Sequence, residues 1–286
     1  MPSAEAFELP SKKRGWGGCY GKLTHPLYPL FLERKSSDRN PLTLKYLAMI
    51  TDKVVFNIFR FNPDNDNKPY FQKFEIPFIR KDLTVLEGLY YIQERLDNSL
   101  AFRSSCRAAV CGSCAMHING KYRLACNTLV SKLKSSTITI RPLSHMVIHK
   151  DLFADMKPFW EKYEHIKPYL IPGKSAPTSG EQIQTPDERT RIDVLIDCIL
   201  CACCHSSCPI TASHEKYLGP MAILNMDRFV SDTRDGARQE RLAIVNDEHG
   251  VWRCHTVFNC QEVCPKDLNP SGSIAHLKME IVKNKI

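Results

Sequence analysis

The stretch "CRAAVCGSCAMHINGKYRLAC", Cys106 to Cys126, decides the fold of the first half of this chain. Its cysteines read Cys106-x4-Cys111-x2-Cys114-x11-Cys126. The first three have the plant-type 2Fe–2S spacing, and the distant fourth closes the site. Such a centre needs four thiolates around two irons, three of them from one wrapped loop. The Ser, Ala and Gly residues between the cysteines let backbone amides approach the bridging sulfides. Asn119-Gly120 takes the positive φ angles of a type I′ turn, so Cys126 is expected on the second strand of a hairpin returning to the loop. A four-cysteine zinc site is the alternative, although structural zinc favours paired short knuckles and this group has one.

Outward from this stretch the pattern predicts a small α+β unit over about 52–142. "VVFNIFRF" and "YFQKFEIP" read as strands separated by the turn-forming "NPDNDNKP". "LTVLEGLYYIQERLD" reads as a helix with Thr84 as N-cap and Glu87 completing a capping box. "SSTITIRPL" supplies a last strand. The expected fold is an N-terminal β-grasp domain of the plant-type ferredoxin kind. A helical connector, "DLFADMKPFWEKYEHIKPYLI", broken at Pro158 and Pro168, and a polar Pro/Gly/Ser linker fill 143–185. Residues 186–286 read as helical, an all-α unit of the two-cluster bacterial ferredoxin kind. Residues 1–51 form an extension of mixed character, read as retained, and its Cys19 is most simply a free thiol.

Two further cysteine runs lie in the helical part. Cys198-x2-Cys201-x2-Cys204-x3-Cys208-Pro209 matches the bacterial ferredoxin run at every position, and its fourth Cys is expected on the neighbouring cluster. "CHTVFNCQEVCP", Cys254 to Pro265, is the same frame with Val257 in the second slot. Exchange of fourth ligands gives Cys198, Cys201, Cys204 and Cys264 to a 4Fe–4S centre. It leaves Cys208, Cys254 and Cys260 for the other, and three thiolates with an apolar fourth corner specify 3Fe–4S. Cys201-x-x-Cys204-His205 also fits c-type haem attachment, but that reading leaves the other cysteines unexplained. Cys203 is expected as a buried small side chain beside the cluster, not a ligand.

Bulk properties narrow the class. All thirteen cysteines except Cys19 fall in these three groups, and no secretory signal opens the 286-residue chain, so disulfide stapling is disfavoured. The net charge of +8, from 39 basic and 31 acidic residues, is spread along the chain, which speaks against nucleic-acid binding. No apolar run reaches the ~20 residues of a membrane span. Neither a convincing nucleotide fingerprint nor a nucleophile motif is present. The chain reads as an electron-carrying subunit whose substrate chemistry and membrane anchorage lie on other chains.

From about Val54 to the C-terminus these motifs, together with "FRFNPDND", "YLGP" and "RFVSDTRD", make the chain resemble the iron–sulfur subunits of the succinate dehydrogenase/fumarate reductase family, respiratory complex II. The resemblance implies electron transfer from a flavoprotein carrying covalent FAD, through 2Fe–2S, 4Fe–4S and 3Fe–4S in order, to a quinone at a membrane-anchor interface, where haem b is one option. It also implies that Pro209, Arg253, His255 and Lys278 lie at the quinone end. Many family members carry a Trp-Trp pair shortly after the Cys-Pro, the second hydrogen-bonding quinone; this chain has Ala212 and Ser213 in "CPITASHEKY". That departure points to the cytoplasmic face of a prokaryotic cell membrane, with the matrix face of the mitochondrial inner membrane as the alternative. Quinol:fumarate reduction, a stand-alone ferredoxin-like carrier and a zinc-bearing interaction protein remain rival readings.

Overall fold

Alternation builds the sheet. In β1 (Lys53–Arg60) Val54, Phe56, Ile58 and Arg60 turn inward, and β2 (Tyr70–Pro77) returns antiparallel with Asn57 opposite Lys73. The computed structural model describes residues 53–77, 80–173 and 179–284. The extension 1–51 and its Cys19 therefore lie outside the described residues. Helix α1 (Val85–Arg95) starts at the expected capping box: Thr84 Oγ1 accepts from the Glu87 amide, and the Glu87 carboxylate accepts from the Thr84 amide. Its buried face, Val85, Leu89 and Ile92, covers Phe56 and Ile58 of the sheet.

Strands β3 (Ala115–Ile118) and β4 (Lys121–Leu124) form the hairpin, with Asn119 at φ 44° and Gly120 at φ 82° as a type I′ turn requires. Strand β5 (Thr137–Arg141) runs parallel to β1 and antiparallel to β3. The sheet order is β2-β1-β5-β3-β4, which sets the cysteine hairpin at one edge.

The connector departs from expectation. Residues 148–154 are a small hairpin of β6 (Ile148–Lys150) and β7 (Phe153–Ala154), and α2 (Lys157–His165) begins only after it. Pro158 sits in the first turn of α2 and starts the helix rather than breaking it, because proline there gives up an N–H that has no helical partner. Asp151 holds the hairpin in place. Its buried carboxylate accepts from Arg60 Nε at 3.0 Å and from the amides of Phe61 and Ala101 at 3.1 and 3.0 Å. Arg60 is itself enclosed and also binds Asp97, Gln72 and Ser99 at 2.7 Å each.

The rest of the described chain is helical. Short α3 (Pro186–Asp193), α4 (Cys203–Ser207) and α5 (Pro209–Ser213) lead into α6 (Gly219–Ser231), which is buried on nearly every side. Helices α7 (Arg238–Val245) and α9 (Pro270–Asn284) pack against it, and α8 (Asn259–Glu262) packs on α4 and α9. One apolar core runs from the sheet through Phe159 and Ile166 into Met221, Leu242 and Leu277. No described helix is long and apolar enough to cross a membrane.

Candidate metal centres

The loop before β3 is shaped by left-handed residues. Arg107 and Ala109 at φ 57° and Gly112 at φ 72° alternate with ordinary backbone, which turns successive amides toward one side. Cys106 Sγ accepts from the amides of Ala108, Val110 and Cys111 at 3.3–3.4 Å, and Cys111 Sγ accepts from the Cys106 amide at 3.4 Å. Burial opposes ionisation of Cys111, but hydrogen bonds from Ser113 and the Cys106 amide bring its pKa down to about 6. Burial pushes Cys114 up to about 12. Cys126 stands two residues past the end of β4, in a 3-10 turn over Ala125–Asn127 rather than on the strand, and its amide donates to Cys114 Sγ at 3.5 Å.

The second and third runs share a backbone. Leu200 and Ala202, two and four residues after Cys198, have φ 52° and 64°. Thr256 and Phe258, two and four residues after Cys254, have φ 55° and 65°. In both runs the second left-handed residue caps a short helix, α4 or α8. Val257 thus takes the backbone position that Cys201 has in the second run. Its side chain is 48% exposed.

Cys198, Cys201, Cys204 and Cys264 line one narrow cavity of about 20 Å3 with Leu200, Met221, Leu224 and Leu268. Burial raises the thiol pKa of Cys198, Cys204 and Cys264. Thiolates are therefore favoured there only against positive metal, which suits an iron–sulfur centre. Among the described residues no three Cys, His, Asp or Glu side chains close into a single-ion site. Cys203 is fully buried beside Cys201, and His205 of the haem-attachment pattern packs edge-on against Phe159 with centroids 5.6 Å apart.

Cys208, Cys254 and Cys260 lie near one another, and burial with the neighbouring Cys208 and Cys254 thiols raises Cys260 to about 11. The Thr256 amide donates to Cys254 Sγ at 3.4 Å. The four residues expected at the quinone end border this group. Pro209 opens α5 directly after Cys208. Arg253 ends the 3-10 turn before Cys254, with its Nε buried and unpaired among the described residues, and His255 is exposed. Lys278 reaches from α9 to the Cys254 carbonyl at 3.5 Å and lies over the Trp252 ring.

Two neighbours were not picked out from sequence. Buried Asn225 donates its amide to Cys198 Sγ at 3.5 Å and to Met221 O at 3.0 Å. Tyr217 is almost fully enclosed beside Cys254, Cys208 and Cys260, and burial with those thiols holds its hydroxyl far above the ordinary tyrosine pKa. The signal for Asn225 was a polar residue within the apolar "MAILNM".

Residues 55–161 match the family model described as a 2Fe-2S iron-sulfur cluster binding domain, and 194–268 match that of a 4Fe-4S dicluster domain. Fold and cysteine groups together define an iron–sulfur electron carrier of α+β build, a 2Fe–2S ferredoxin-like β part followed by a helical two-cluster part. The chain is 42% identical over 226 residues to a succinate dehydrogenase (ubiquinone) iron-sulfur subunit 1, mitochondrial, of Oryza sativa subsp. japonica, covering 78% of this chain and 80% of that one. It is 40% identical over 239 residues to the mitochondrial counterpart of Dictyostelium discoideum, covering 81% and 83%. A chain of the Mycobacterium smegmatis Sdh1 complex in the apo form shares the fold with a TM-score of 0.73 at 24% identity, covering 82% of this chain and 97% of that one. The chain belongs to the family of succinate dehydrogenase iron–sulfur subunits, the electron-transfer subunits of that enzyme.

Proposed function

We propose that eleven cysteines of this chain hold three clusters: 2Fe–2S on Cys106, Cys111, Cys114 and Cys126; 4Fe–4S on Cys198, Cys201, Cys204 and Cys264; and 3Fe–4S on Cys208, Cys254 and Cys260. Bound there, the clusters supply one-electron chemistry between a two-electron flavin donor and a quinone that takes up two electrons and two protons. The chain orients this traffic. Amide donors crowd Cys106 and favour the more negative, reduced state of the first centre. Arg253, His255 and Lys278 set positive or protonatable groups at the outer rim of the third group, where the quinone end is assigned with Pro209. Trp252, Val257 and Phe258 leave about half their surface open around that rim, an apolar face suited to a membrane-anchor subunit. The FAD-carrying subunit is the donor partner. The mitochondrial names of both curated relatives favour the matrix face over the cytoplasmic face that the missing tryptophan suggested.

The observation carrying this reading is the repeated backbone of the second and third runs, with Val257 where the second run has Cys201. Low-temperature EPR of the air-oxidised protein tests it. A 3Fe–4S signal is expected, lost in Cys260→Ser and exchanged in Val257→Cys for a reduced-state 4Fe–4S signal. An EPR-silent protein loaded with zinc would overturn the assignment.

A further inference from the structure

The first and second cysteine groups come together at a bare backbone atom, beside the packing of Cys203–Ser207 against strand β4. A Cβ added to Gly112 would stand 2.7 Å from the Ile199 carbonyl oxygen and 2.9 Å from both Cα and Cβ of Cys201. No side chain fits in that space, so the Gly112 Cα rests directly on the backbone carrying Cys201. Gly112 follows Cys111 and precedes Cys114 by two residues. A close through-space contact thus joins the cysteine turn of one group directly to a cysteine of the next.

The positive φ of Gly112 does not by itself account for this approach. Gly120 in the β3–β4 turn has φ 82° and nothing within 4 Å of an added Cβ. The two glycines share the left-handed conformation and differ in what they touch. Tunnelling decays steeply with distance, and faster across a gap than through bonded atoms. The closest packed crossing between two centres therefore governs the rate between them.

Resting on the cluster assignment proposed above, we infer that the Gly112–Cys201 contact is the crossing point for electrons between the first and second centres, with Gly112 as a positioning residue. The step moves one electron and no atom or proton. The first centre is oxidised by one electron and the second is reduced by one. A methyl group at Gly112 must push the 111–114 turn off the Ile199–Cys201 backbone, lengthening the crossing while leaving every cysteine in the sequence.

The test compares wild type, Gly112→Ala and Gly120→Ala in the assembled complex. EPR first counts the three cluster signals. Power saturation then reads how far reduction of the second centre speeds spin relaxation of the first. Flash reduction follows arrival of the electron at the second centre. Gly112→Ala is expected to keep its clusters, weaken the relaxation enhancement and slow arrival at least tenfold. Gly120→Ala, which carries the same backbone strain, is expected to change neither. A fully loaded Gly112→Ala with wild-type relaxation and transfer overturns the inference. So does wild-type protein in which reducing the second centre leaves relaxation of the first unchanged, a result readable even if Gly112→Ala loses its first cluster. Absence of 2Fe–2S and 4Fe–4S signals from wild type would instead sink the cluster assignment.

Discussion

Asn225 divides its two amide hydrogens between a helix carbonyl and a cysteine sulfur. A buried amide left without partners costs about 1–3 kcal/mol, so this side chain is held to both acceptors. A hydrogen bond to a ligand sulfur stabilises the added charge of the reduced centre and raises its potential. Asn225→Leu is therefore expected to lower the midpoint potential of the second centre in an EPR-monitored redox titration while its signal remains. An unchanged midpoint would make Asn225 a packing residue only. Asn225→Gln, with an amide one methylene farther along, is expected to recover part of the loss.

Elements are joined by a few buried charges. Arg241 of α7 is almost fully enclosed, paired with Asp235 at 2.8 Å and bonded to the carbonyls of Ile166, Lys167 and Tyr169. It fastens the end of the connector to the helical part. Arg241→Met would leave Asp235 buried without its cation, and loss of one partner of such a pair typically costs about 3–5 kcal/mol. A comparable fall in unfolding free energy is expected in urea denaturation, and a change below about 1 kcal/mol would contradict the staple.

A second link joins α9 to α6. His276 Nδ1 meets buried Asp227 Oδ1 at 2.6 Å, with Glu280, which pairs with Arg238, close by. The hydrogen bond to Asp227 raises the His276 pKa against the cost of burial, helped by the Asp227 and Glu280 charges. A raised folded pKa gives stability that is complete below the unfolded value of about 6.5 and fades as pH rises through the folded value. The thermal midpoint of wild type is expected to fall on raising pH above about 6.5, and His276→Gln should flatten that slope. Equal slopes in the two proteins would remove the pair from the account.

Over the whole molecule, an apolar core shared by sheet and helices holds three cysteine groups, the second and third of them assembled from separate stretches of chain. The local devices were readable because each is settled within a few residues. The Thr84–Glu87 capping box, the Asn119-Gly120 turn, the alternation of β1 and the cysteine spacings all depend on neighbours in sequence. Where a helical connector was expected, the hairpin at 148–154 answers to a distant influence. Asp151 is held by Arg60, ninety-one residues earlier in the chain, and that tie anchors the 148–154 hairpin ahead of the helix. The sequence by itself determined the strands and turn of the cysteine hairpin, the spacing of the two ferredoxin-like runs and the odd slot at Val257, but not the 3-10 turn that carries Cys126. Only the tertiary structure decided that Gly112 rests on Cys201, that Asn225 and Tyr217 stand over the second and third groups, and that Arg241 ties the connector to α7. These contacts form between residues tens of positions apart, where packing and burial select partners and local spacing carries no information.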